Sequence, residues 1–474
     1  MFFPTLFSVK INWLVYALGL IAVVMVIPDI SVWRFFALAI AGHQFMLLFY
    51  AYGYVIPVRY WAGAMACLQY LVGPSFAYSG LDELMYFKYR MQVPEETYFA
   101  YAIPAVILFI LGLHFSGKLN GEKVDEKAIN RFVESNTLLP YIFIGIGFVS
   151  SMVSGFFGSE LANVFYILSG FKFIGLFMLL LSGHQIKLLP LVIVVGAIVG
   201  SSLKSAMFHD LLTWLVFVLA VLAIRYKPNI LVKVWFTIGM VVLVLIIQQI
   251  KSVYRSNITY GQGGTEQFEE SFRTINQEGG FFDLNKIAES NVRINQGFIV
   301  TNAMNWIPER EPFAQGEELQ MILEAAFLPR ILAPNKLKAG DNSLVLKYTG
   351  LWIRQGTSMS ISALGDGYIN FGTFGGSIFM FFFGLIFNIT LNGFQRFSKD
   401  FPIILIFTPL VFYYPIRPDT ALQTGLGHLV KASFLLYFIM IFWKKDLSSE
   451  GVEQKILMEK AKRERDKKQW DAKE

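Results

Sequence analysis

Lys251, Arg255, Arg293, Arg330, Lys336 and Arg354 recur through one polar stretch, residues 251–370, of an otherwise apolar chain. Guanidinium groups make directed, paired hydrogen bonds to phosphate and carboxylate oxygens, so this series points to an anionic ligand. Lys251 and Arg255 stand at i, i+4 and share a face if the helix before them continues. At a membrane surface such a pair either snorkels into headgroups or grips a lipid-linked phosphate, and the sequence leaves both readings open. Pro329 and Pro334 stiffen the backbone around Arg330 and Lys336, which favours a presented site over a floppy turn.

The run Ser360 to Gly376 supplies the second chemistry. Asp366 lies between Gly365 and Gly367, where backbone comes close to a ligand. Its carboxylate is the first candidate for a group that accepts a hydroxyl proton, with Tyr368 and Asn370 holding a substrate or the turn. The rival reading is an N-cap for the following helix. His209 is the second candidate base, grouped with Lys204 and Asp210 at one connector. Arg417, Asp419, His428 and Lys431 lie at or within the last helical hairpin. Ionisable groups at membrane depth are functional suspects, although Arg417 and Asp419 also read as a structural ion pair. No His, Asp or Glu grouping has metal-ligand spacing, and the single Cys67 excludes an internal disulfide and a cysteine metal site. Metal-independent chemistry is therefore expected, with no cofactor.

The elements that must carry these residues are membrane helices. Of 474 residues, 55% are hydrophobic and 16% charged, against roughly 25% charged in soluble domains. Mean hydropathy is +0.52. Apolar runs of crossing length, about 20 residues, are predicted at Ile11–Pro28, Val32–Tyr52, Ala62–Tyr78, Tyr98–Gly117, Leu138–Phe157 and Ala162–Leu181. Further runs are predicted at Leu188–Leu203, His209–Ile224, Leu231–Ile250, Thr373–Asn392, Phe401–Tyr414 and Leu426–Trp443, about twelve in all. The first lacks a small-residue cleavage site and reads as a retained helix.

The expected fold is an all-α polytopic membrane protein with one large periplasmic loop carrying short helices. Residues 1–250 form a first bundle of about nine spans, 251–370 the loop, 371–443 the last three spans and 444–474 a charged cytoplasmic tail. Within the loop, Leu319, Ile322, Leu323, Ala326 and Phe327 have the spacing of an amphipathic helix. Cations alternate between connectors: Arg59; Lys118, Lys123, Lys127 and Arg131; Lys187; Arg225, Lys227 and Lys233; Arg396 and Lys399; then Lys444 and Lys445. The opposite connectors carry Asp29 and Glu160. The positive-inside rule then puts both termini in the cytoplasm and the loop outside. Topology thus accounts for the net charge of +6, and no nucleic-acid partner is expected.

The order of features has a further meaning. A helix exit bearing Lys251, Tyr254 and Arg255 is followed by Pro329-Arg330 through Pro334 and Lys336, then by Tyr368-x-Asn370-Phe371-Gly372-x-x-Gly375 entering a late span. This resembles the Wzy-type O-antigen and oligosaccharide repeat-unit polymerases of bacterial inner membranes. The general plan covers the whole chain; the motif likeness covers residues 248–376. Two positions depart from it: Asp366 stands where a Glu is expected, and Lys204 where an Arg is expected. The resemblance implies transfer of a growing glycan from its polyprenyl-pyrophosphate carrier onto an incoming lipid-linked unit at the periplasmic face. It implies Arg255, Arg293, Arg330, Lys336, Arg354 and Arg417, with Lys204 and Lys251, as the cations that bind substrate. The implied partners are lipid-linked oligosaccharides, membrane lipids and a chain-length regulator protein. A ligase-like lipid-sugar transferase and a transporter or flippase of lipid-linked glycan remain the alternatives.

Overall fold

A computed structural model describes residues 5–6, 9–27, 29–79, 89–116, 122–157, 159–182, 188–205, 208–257, 264–277, 280–281, 294–328, 332–333, 336–337, 342–353 and 359–471. Among these the regular structure is helical throughout, without a strand. In chain order the first half contains α1 (Trp13–Val26), α2 (Val32–Ala51), α3 (Val58–Cys67), α4 (Gly73–Ala77), α5 (Glu95–His114) and α6 (Glu126–Ser135). It continues with α7 (Leu139–Val153), α8 (Ser159–Ser169), α9 (Phe171–Leu181), α10 (Leu188–Ser205), α11 (His209–Tyr226) and α12 (Ile230–Asn257). The polar stretch holds α13 (Thr265–Gln277), α14 (Gly297–Trp306), α15 (Glu317–Phe327) and α16 (Ser343–Thr349). Then come α17 (Ser362–Phe397), α18 (Thr408–Val411), α19 (Leu422–Phe442), α20 (Lys444–Leu447) and α21 (Ser449–Asp471).

Among the described residues, nine helices are long and apolar enough to cross a membrane. That is fewer than the twelve expected runs, and proline accounts for part of the difference. The run at 62–78 is split by a π-turn, Leu68–Val72, ahead of Pro74. Pro74 has no N–H to give to Tyr70, and the Tyr98 hydroxyl donates to the Tyr70 carbonyl instead, at 2.8 Å. Pro402 and Pro409 confine the run at 401–414 to a 3-10 turn, Pro402–Phe407, and the short α18. At the N-terminus α1 stops at 14 residues.

The core is centred on α5 and α17, which cross at two glycines. A Cβ on Gly112 would lie 2.2 Å from the Phe381 carbonyl oxygen, and one on Gly384 would lie 2.2 Å from that of Phe109. Only glycine lets two helix backbones approach this closely. Beside that crossing, Arg59 is 1% exposed. It pairs with Glu122 at 2.6 Å and donates to Asn388 Oδ1 at 2.6 Å. Arg59, expected as a connector charge, is thus a buried, paired group that ties α3 to α17.

The polar stretch is built into the bundle. Gly297 to Met304 of α14 is buried, with a Gly297 Cβ position 2.5 Å from Pro74. The expected amphipathic helix forms as α15 and packs on α19, where Ala326 meets Gly427. Its buried face is rotated from the predicted stripe: Ile322 and Ala326 point inward with Glu318, while Phe327 is 53% exposed.

The predicted glycine turn at Asp366 needs correction. Residues 362–371 are already helical, and the break falls at Gly372, with φ 65° and ψ −163°. A straight helix would separate residues nine apart by about 13.5 Å. Instead a Cβ on Gly376 would lie 2.8 Å from the Gly367 backbone. The chain folds back at Gly372, and a short arm, 362–371, lies against the start of the long arm, 373–397. Gly367 and Gly376 permit this close contact, and Gly372 supplies the turn.

Candidate active site

The short arm presents Asp366, Tyr368 and Asn370. Ile361 is the helix N-cap and makes no side-chain cap bond, so the capping reading of Asp366 falls away. Asp366 is 8% exposed. Asn370, one turn on, fixes the arm at both its polar ends. Its Nδ2 donates to the Asp366 carbonyl at 2.9 Å, and its Oδ1 accepts from the Leu319 amide at 3.1 Å. The Tyr368 ring packs on Tyr101 and Phe313 at 5.4 and 5.7 Å. Tyr101 in turn donates to the Leu364 carbonyl at 2.6 Å. Asn370 and Tyr368 therefore position the arm.

A second group assembles where the start of α11 meets the segment before α19. Arg417 hydrogen-bonds His209 Nε2, and its Nη2 reaches Asp419 Oδ2 at 3.3 Å. His209 Nε2 is also 2.6 Å from Asp210 Oδ1, which accepts from the Tyr413 hydroxyl at 2.5 Å. Arginine only donates. An unprotonated Nε2 therefore accepts from Arg417, and a protonated Nε2 donates to Asp210. Burial works against the Asp419 carboxylate, but the Arg417 guanidinium outweighs it and holds the carboxyl below its ordinary range. Arg417 is correspondingly raised: burial opposes its charge, and Asp419 and Tyr413 more than compensate.

Tyr70 joins the two groups. Its hydroxyl donates to the Pro418 carbonyl at 3.3 Å, and Asp366 and Asp419 both lie near enough to act on it electrostatically. Tyr70, Tyr414, Arg417 and Thr420 are also the polar lining of a narrow cleft. Phe109, Met380, Phe383 and Leu422 form apolar wall. The arrangement places the Arg417 guanidinium in the wall of an apolar cleft, with His209 bonded behind it.

Of the residues singled out from sequence, the structure brings together His209 with Arg417, and Asp366 with Tyr368 and Asn370. Lys204 is exposed at the end of α10 and stays outside the Arg417 network. The helix does continue: α12 runs on past the span to Asn257, so Lys251 and Arg255 stand one turn apart on one helix. Lys251 is half-buried. Lys336 Nζ donates to the Leu328 carbonyl at 2.8 Å and ties its own turn. Arg293, Arg330, Arg354 and the Arg255 side chain lie outside the described residues. His428 bonds the Leu410 carbonyl at 2.8 Å and is a packing contact.

Tyr70, Tyr413 and Glu318 were not anticipated. Tyrosines in apolar runs resemble interface aromatics, and nothing local marks them. Glu318 Oε1 accepts from Lys347 Nζ at 3.0 Å and from the Tyr348 hydroxyl at 2.7 Å. Hydrogen bonding to Tyr348 and Glu318 raises the Lys347 ammonium, and burial pushes the Tyr348 phenol up to about 12.

Residues 76–413 match the model of a family described as a domain of unknown function (DUF8712). The chain belongs to that family. The matched segment contains His209, Asp210, Glu318 and Asp366, and stops short of Arg417 and Asp419. No curated protein and no solved structure matches the chain.

Proposed function

We propose that this chain polymerises polyprenyl-pyrophosphate-linked oligosaccharide repeat units at the outer face of a bacterial inner membrane, with both termini in the cytoplasm. The observation that carries the reading is the meeting of Arg417 with His209, which pairs with Asp210, beside an apolar cleft whose Tyr70 also feels the charge of Asp366. Each part answers one need of glycosyl transfer. Arg417 neutralises the pyrophosphate as the bond between its oxygen and the anomeric carbon breaks. The acceptor hydroxyl oxygen forms the new bond to that carbon and gives its proton to Asp366, with His209 as the second acceptor. The cleft receives the start of the prenyl chain, whose burial is worth about 0.8 kcal/mol per CH₂.

The test is the surface glycan of a host with and without the gene. A ladder of polymer lengths collapsing to single capped units supports polymerisation. Loss of every capped unit identifies a ligase or a flippase, and an unchanged ladder overturns the reading.

A further inference from the structure

We infer that Glu318 and Asp366 together form a sugar-hydroxyl site, in which Glu318 Oε2 accepts a hydroxyl of the same sugar that meets Asp366. That the ligand is a sugar rests on the glycan-transfer reading above.

Glu318 lies in the first turn of α15 but is 4% exposed. Lys347 and Tyr348 saturate Oε1 and fix the plane of the carboxylate. Oε2 is buried and has no hydrogen-bond partner among the described residues. Leaving a buried acceptor unmet costs about 1–3 kcal/mol, more when it is charged. A position held this firmly, with one oxygen left unmet, is waiting for a donor. Asp366 lies on the arm that faces it: the amide of Leu319, next to Glu318, donates to Asn370 Oδ1 at 3.1 Å, and Asn370 Nδ2 donates to the Asp366 carbonyl at 2.9 Å. The Asp366 carboxyl makes no hydrogen bond or ion pair among the described residues and feels the Glu318 charge.

The chemistry around the pair selects the donor. Carboxyl oxygens accept from hydroxyl groups, and a pair of carboxyls that shares a proton also donates, so the two together suit a hydroxyl and offer a phosphate no positive charge of their own. A divalent cation fits poorly. Calcium takes about 6–8 oxygens, Asn370 Oδ1 is already taken by Leu319, and Lys347 stands 3.0 Å from Glu318 with a positive charge of its own. A neutral polyol needs only acceptors for its hydroxyls and an apolar face for its ring. Phe313, half-buried and packed edge to face on Tyr368 two residues from Asp366, supplies such a surface. The anionic end of the substrate then belongs at Arg417, and the sugar end at Glu318 and Asp366.

Glu318→Gln separates the readings. Its carbonyl oxygen keeps the bonds from Lys347 and Tyr348, while its NH₂ replaces Oε2 and turns an acceptor into a donor. The full-length protein in detergent is unfolded by heat alone, or with high concentrations of glucose, galactose, N-acetylglucosamine or rhamnose, or with magnesium or calcium chloride. At least one neutral sugar should raise the unfolding temperature of the wild type beyond the general stabilisation that an excluded osmolyte such as sucrose gives at equal concentration. Glu318→Gln and Asp366→Asn should each abolish that rise. Asp366→Asn keeps the test decisive if Glu318→Gln does not fold.

A wild type that no sugar stabilises beyond sucrose overturns the inference, as does a sugar shift that survives in the folded variants. So does a carboxylate-dependent shift with a divalent cation, which would mark a metal site. The glycan ladder separates this from the parent proposal. A ladder that collapses without the gene, beside absent sugar binding, sinks the site alone. An unchanged ladder beside carboxylate-dependent sugar binding sinks the polymerase reading and leaves the site.

Discussion

At Arg417 one guanidinium meets an imidazole, a carboxylate and the ring of Tyr414. A lysine cannot fork between His209 and Asp419, so Arg417→Lys should lower polymer formation roughly tenfold to a hundredfold, the equivalent of about 1.5–3 kcal/mol for a lost charged hydrogen bond. Glycan ladders at matched protein level check it. Its partner gives a pH prediction. Asp419 is held below its ordinary range when folded, so the pair's stability is fully present above the unfolded carboxylate value of about 3.9 and is lost as pH falls through the depressed folded value. The wild type should therefore exceed Asp419→Asn in unfolding temperature by a constant amount at neutral pH, and the gap should shrink below about pH 3.9. At Asp366 no cap is at stake, so Asp366→Asn should fold normally and lose polymer. Normal polymer from that variant would remove Asp366 from the site and leave His209 as the base. Residue type and membrane depth were enough to single out Asp366, His209, Arg417 and Asp419. Their grouping was not legible, because His209 and Arg417 are 208 positions apart and no local spacing encodes that contact. Glu318 was missed for a related reason: an acid in the first turn of a helix ordinarily faces water, and only the fold puts Lys347 and Tyr348 behind it.

Among the elements, the crossing of α5 and α17 makes the sharpest stability prediction. Gly112→Ala or Gly384→Ala would drive a methyl into facing backbone, which no rotamer change relieves. Overpacking of this kind costs about 1–3 kcal/mol and should appear as a lowered unfolding temperature in detergent. Gly145 on α7 is the control, since nothing lies within 4 Å of a Cβ there. Gly145→Ala should be neutral or stabilising, by up to about 1 kcal/mol through helix propensity. These two kinds of glycine look alike in the sequence. Hydropathy located most of the long helices, because an apolar run of the right length has few other uses. It could not locate the reversal at Gly372. Gly365, Gly367, Gly372, Gly375 and Gly376 all permit a turn, and which one turns depends on packing around the others: Ile361 on Gly365, Tyr101 on Gly367 and Gly376, and Phe371 on Gly375. Nor could it foresee the split at Pro74, where the tyrosine that replaces the missing donor comes from α5.

For the whole molecule, charge distribution predicts an orientation, and it is the one that the proposed chemistry requires. A helix of 18 residues such as α11 rises about 27 Å, so His209 at its start and Arg225 at its end lie near opposite surfaces of the bundle. The His209 end carries the Arg417 network. The other end gathers Arg225, which donates to the Leu180 carbonyl at 2.5 Å, and Lys233, which donates to the Tyr52 carbonyl at 2.5 Å. Arg59 no longer counts in the topological tally, because Glu122 neutralises it inside the protein. Lys227, Lys399, Lys444 and Lys445 remain as exposed cations near helix ends. Cationic connectors are retained on the cytoplasmic side, so the Arg225 end should face the cytoplasm and the candidate site the outside. Compartment-sensitive reporters fused after Gly264 and after Glu474 should therefore give opposite signals. Moving the charge should move the outcome: replacing Lys227, Lys399, Lys444 and Lys445 together by Gln should produce a mixed population at both fusions. Equal signals at the two unmodified fusions would put the His209–Arg417 cluster and the tail in one compartment, and glycan transfer at the outer face would then be untenable.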